Sequence, residues 1–135
     1  MKPGQRGATL LEALIGILIF STGILALVGM QALAIKQMSD AKYRADASFI
    51  ANEIIGHMWV NRGSLPSYAY AGGGGPPAVL ANWVTGIQNE LPGVTGVVNQ
   101  PTVTVAGTTV TVSIFWQPPG AVTPNRHVIV AYING

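Results

Sequence analysis

Glu12 opens the longest apolar run of the chain, and no other acid follows it until Asp40. An ionised carboxylate in apolar surroundings is costly unless a cation or several N–H donors meet it. Its chemistry there is therefore pairing, not acid–base turnover. One account is local: Thr9-x-x-Glu12 has the spacing of a capping box, with Thr9 capping the helix and Glu12 suiting the positive end of its dipole. The other is functional, since an ionisable residue in a membrane segment marks a working site by default.

The remaining reactive side chains do not converge. His57 falls in a helical pattern and His127 in an alternating one, and two separated histidines do not make a metal site. Asp40, Asp46 and Glu53 spread over a polar helix, the pattern of a solvated face. Ala71-Gly72-Gly73-Gly74-Gly75-Pro76-Pro77 lacks the lysine and Ser/Thr that a phosphate-binding loop places after its glycines, so it reads as an exposed connector. Cysteine is absent, which excludes thiol catalysis, disulfides and a cysteine-linked lipid. With no nucleophile beside a base, the expectation is a protein that is not an enzyme and carries neither metal nor cofactor.

The elements around Glu12 are plain in the sequence. Of the 135 residues, 49% are hydrophobic and 9% charged, too apolar for an ordinary soluble domain of this size. Ala13 to Ile35 is a stretch of 23 residues without a charge. As a helix it is roughly 35 Å long and spans a bilayer core of about 30 Å. Basic residues flank it on both sides, Lys2 and Arg6 before and Lys36, Lys42 and Arg44 after, so charge alone does not orient it. Without the first seven residues the chain has five basic and five acidic side chains, a balance that argues against nucleic acid as a partner.

Beyond Ile35 the helical period continues without proline, and Ala47, Ile50 or Ala51, Ile54 and Met58 form one apolar stripe. A single helix is expected from Thr9 to near Arg62, stopped by Arg62-Gly63 and Leu65-Pro66. Leu80, Trp83, Val84, Ile87 and Leu91 fit a short second helix ending at Pro92-Gly93. From Val94 the period becomes two. Thr102–Val105 and Val110–Ile114 read as a hairpin with one apolar face, its threonines toward water. Arg126 to Ile133 is apolar on both faces and is expected to be the best-buried strand. Trp59, Trp83 and Trp116 are expected as core or interface anchors. The fold class is α+β, with the second half of a long helix laid on a small antiparallel sheet.

The leader adds a specific likeness. Lys2 and Arg6, then Gly7-Ala8-Thr9-Leu10-Leu11-Glu12 and a long apolar helix, resemble the signal of type IV pilins and type II secretion pseudopilins. The resemblance implies the type IV pilin fold, cleavage by prepilin peptidase between Gly7 and Ala8, and N-methylation of Ala8. In the family the new residue is most often phenylalanine; here it is alanine. Glu12 would become the fifth mature residue, pairing with the α-amine of Ala8 on its own or a neighbouring subunit and setting register at assembly. Where major pilins commonly carry a helix-bending proline, this chain has Gly29, and Gly16 and Gly23 suit close helix packing.

The likeness extends to Gly23–Gln31, Tyr43–Ser48, Ala51–Ile55, Ile114-Phe115-Trp116-Gln117 and Arg126–Tyr132, which look like the PilV family of minor pilins, the type IV pilus modification proteins. It implies a leader over residues 1–7, a transmembrane and filament-core helix over 8–35, and a periplasmic head over 36–135. The implied partners are other minor pilins, the major pilin, prepilin peptidase, the inner-membrane assembly platform and a large tip adhesin. The implied location is the inner membrane before assembly and the pilus tip after it. Two alternatives stay open: an I-like minor pseudopilin of type II secretion, and a pilus-tip module whose sheet and glycine-rich loop hold a ligand. A third, Ala32-Leu33-Ala34 as a signal-peptidase site releasing a soluble domain, conflicts with the length of the apolar run.

Overall fold

Between Pro3 and Pro66 the sequence has no proline, and one helix, α1 (Gly4–Val60), fills 57 residues of that interval. The structure is a computed structural model that describes residues 4–134, residues 4–6 through their backbone alone. Helix α1 runs unbroken through Gly16, Gly23 and Gly29, because an isolated glycine costs a helix only about 1 kcal/mol relative to alanine. It also begins before Thr9, which lies inside the helix and is not its N-cap. The capping-box account of Glu12 is therefore set aside. At the other end Asn61 donates both its backbone N–H and its Nδ2 to the carbonyl of His57, at 3.1 and 3.0 Å, and a 3-10 stretch, Arg62–Tyr68, follows.

The chain divides into two compact units, Met1–Ser39 and Asp40–Gly135, and α1 contributes to both. In the first, the apolar side chains from Leu10 to Met38 are exposed. One helix is thus long and apolar enough to cross a membrane, with none of its most apolar 18-residue window buried.

In the second unit the apolar stripe Ala47, Ile50, Ala51, Ile54 and Met58 is buried as its spacing requires. Helix α2 (Ala81–Glu90) buries Trp83, Val84 and Ile87, flanked by buried Leu80 and Leu91. The sheet is an antiparallel meander of β1 (Thr102–Ala106), β2 (Thr109–Trp116) and β3 (Asn125–Tyr132), in that order. Val103, Val110, Val112, Ile114 and Trp116 enter the core from one face, and the threonines alternate to the other. Full burial of each such aliphatic side chain is worth roughly 1.5–3 kcal/mol. Strand pairing begins only at Thr102; Val94–Gln100 is a turn-rich loop, tied down where the Thr95 hydroxyl accepts the N–H of Val98 at 3.2 Å.

Two glycines are dictated by geometry. Gly107 takes φ +62° at the first position of the two-residue turn between β1 and β2, where such hairpins favour glycine. Gly93 takes φ +72°, and a Cβ there would lie 2.8 Å from both Cβ and the carbonyl oxygen of Gln117.

Strand β3 corrects the expectation that it is the best buried. It is an edge strand, and its burial alternates between exposed and intermediate residues, with Val130 51% and Tyr132 67% exposed. Of its apolar side chains, Ile129, Ala131 and the following Ile133 turn toward the core. Apolar residues on both faces reflect cross-strand contact with Thr111 and Ser113 on β2, not a second buried layer. The best-buried strand is the central one, β2.

Candidate assembly site

Glu12 lies on the exposed part of α1, and among the described residues it has no ion-pair partner. Ala8 stands four residues earlier, one turn away on the same side of the helix, a rise of about 6 Å. With residues 1–7 attached, the nitrogen of Ala8 is an amide inside the helix. A cut after Gly7, as the sequence resemblance implies, would turn that nitrogen into an amine at a new helix N-terminus, where a carboxylate in the first turn is also favoured by the dipole. A Glu12–amine pair would form only after such a cut. Lys2 lies outside the described residues, as does the side chain of Arg6.

The other candidates stay apart. Asp46 and Lys42 approach to 4.0 Å as an i, i+4 pair on an exposed helix face, worth a few tenths of a kcal/mol at about 0.3–0.5 for such pairs. His57 is exposed on α1, whereas His127 packs on the core side of β3 beside the register position of Ile114. Among the described residues no group of three His, Cys, Asp or Glu side chains is placed to hold a metal ion. Trp83 and Trp116 are core residues, but Trp59 is 42% exposed and lies outside the core.

The glycine-rich loop is more constrained than its composition implied. The Tyr70 backbone exchanges two 2.8 Å hydrogen bonds with Val103, which fixes the entrance to the loop against β1. Its hydroxyl lies 3.0 Å from the Gly74 carbonyl and 3.1 Å from Oε1 of buried Gln100, and its single proton serves one acceptor at a time. Gln100 in turn donates Nε2 to the Thr95 carbonyl. A shallow depression lined by Gly72, Gly73, Asn99 and Phe115 adjoins this network.

A groove of about 400 Å³ between α1 and α2 has no counterpart in the sequence reading. Ile50, Ile54 and Trp83 form its apolar side, and Glu53, His57 and Glu90 its polar one. Trp83 is held there because its Nε1–H donates to the Ile50 carbonyl at 3.0 Å. The signal lay in the steps Phe49-Glu53-His57 and Val79-Asn82/Trp83-Gly86-Glu90, each one helix face, but their juxtaposition is tertiary. Compared with known proteins, the chain matches no protein-family model, no curated protein and no solved structure.

Proposed function

We propose that the chain is a minor type IV pilin of the PilV kind, and that it acts as an assembly protein and not as an enzyme. The observation that carries this reading is Glu12, a carboxylate with no ion-pair partner among the described residues, one turn from Ala8 at the start of an exposed apolar helix whose later residues build the core of the head. Exposed side chains such as Leu14, Phe20, Leu25 and Ile35 need lipid or other helices around them, since a contiguous apolar surface of this extent is not stable in water. Lipid before assembly and a bundle of subunit helices after it meet that need in turn.

In this reading prepilin peptidase cuts after Gly7, the helix keeps the chain in the inner membrane with Asp40–Gly135 in the periplasm, and the assembly platform moves it into the filament. There Glu12 exchanges a membrane-surface environment for an α-amine of a subunit, and the pair fixes axial position. Its partners are the other minor pilins and the major pilin, and its place is with the complex that primes and caps the fibre and carries an adhesin.

Deletion of the gene in its host tests this. Surface pili are expected to fall at least several-fold and to return with the wild-type gene but not with Gly7→Val, which blocks the cut. Unchanged piliation in the deletion strain would contradict the proposal.

A further inference from the structure

The groove between α1 and α2 is chemically lopsided. The unit Asp40–Gly135 has four acidic side chains, Asp40, Asp46, Glu53 and Glu90, and four basic ones, Lys42, Arg44, Arg62 and Arg126. Asp46 meets Lys42 on its own helix, whereas Glu53 and Glu90 both line the groove, one from each helix, and no basic side chain other than His57 lines it with them. Among the described residues neither carboxylate has an ion-pair partner.

Two further features mark this groove as open to another chain. Phe49 lines it 72% exposed, outside the buried stripe of α1 whose Ile50 and Ile54 form the groove's apolar side. Gly86 sits inside α2, where alanine would be the better helix former, and a Cβ there would meet nothing within 4 Å. Nothing inside the chain requires that glycine. Its effect is to leave the wall of the groove low at the middle of α2.

An apolar floor with carboxylates above it matches a side chain that is aliphatic along its stem and cationic at its tip. Arginine fits better than lysine, because its planar guanidinium bonds carboxylates in a fork and stacks on aromatic faces such as Trp83 and Phe49. We infer that this groove docks a different subunit of the same filament through an arginine-bearing segment, with the guanidinium held by Glu53 and Glu90 and its methylenes on Ile50 and Trp83. The inference rests on the reading of the chain as a filament subunit and adds to it the face and the chemistry of one contact.

The test uses the full chain in its host, with Phe49→p-benzoylphenylalanine as a photocrosslinker and peptide mass spectrometry of the adduct. The expected adduct joins one other pilus subunit at a peptide containing arginine, and its yield falls about ten-fold in the Glu53→Gln/Glu90→Gln double variant, as for loss of a charge-assisted pair. Glu53→Lys should also abolish it, with recovery when the partner's crosslinked arginine is changed to glutamate. An unchanged thermal midpoint of the double variant verifies that the head stays folded. An adduct insensitive to both glutamates, one formed with a second copy of this chain, or none at all would overturn the inference. The N-terminal mass, read in the same cells, separates the two failures: a chain beginning at Ala8 without the adduct sinks the docking alone, and one still beginning at Met1 sinks both.

Discussion

At the residue scale, stability and the proposed role in assembly fall on different side chains. Glu12 makes no ion pair among the described residues, so its removal costs the head nothing. Glu12→Val is expected to leave the thermal midpoint and the cut after Gly7 unchanged while lowering the amount in sheared pili at least ten-fold, measured by immunoblot of pilus and membrane fractions. Trp83 is the opposite case, a side chain that ties α2 to the Ile50 carbonyl. Trp83→Phe should cost about 1 kcal/mol through the lost hydrogen bond, and Trp83→Ala about 3–5 kcal/mol through the cavity, both read from denaturant unfolding. Gly93→Ala combines a strained φ with a clash against Gln117 and should cost more than about 2 kcal/mol. Gly107→Ala meets open space and carries only the conformational term, about 1–2 kcal/mol.

At the scale of elements, local period was informative and edges were not. The stripe Ala47–Met58, the face Leu80–Leu91 and the hairpin valines were legible because each element buries one face, which leaves a 3.6- or 2-residue repeat in the chain. Strand β3 carries no repeat that distinguishes an inner strand from an edge strand with an apolar outer face, since strand order is a tertiary fact. The start of α1 is not legible from Thr9 and Glu12, which have cap spacing although the helix runs back to Gly4. Of the candidate site, Glu12 and Ala8 could be read from spacing along one helix, whereas Glu53 and Glu90 come together only across two. The edge position of β3 has a measurable consequence. Val130→Thr should change stability by no more than about 0.5 kcal/mol, while Val112→Ala on β2 should cost about 2 kcal/mol in the same unfolding experiment.

At the scale of the molecule, the two units have opposite relations to water. Asp40–Gly135 closes a core of its own from α1, α2 and the sheet, and in the first unit the apolar side chains from Leu10 to Met38 are uncovered. One described helix is long and apolar enough to cross a membrane, and in the proposed reading the carboxylate near its start has to be met by an amine. The proposed answer is an amine that the chain makes from itself when residues 1–7 are removed. The most direct test is the intact mass and N-terminal sequence of the protein recovered from its host's membranes and sheared pili. A chain beginning at Ala8, methylated or not, is the expected result. A chain that keeps Met1, or one that begins at Ile35, would contradict the account.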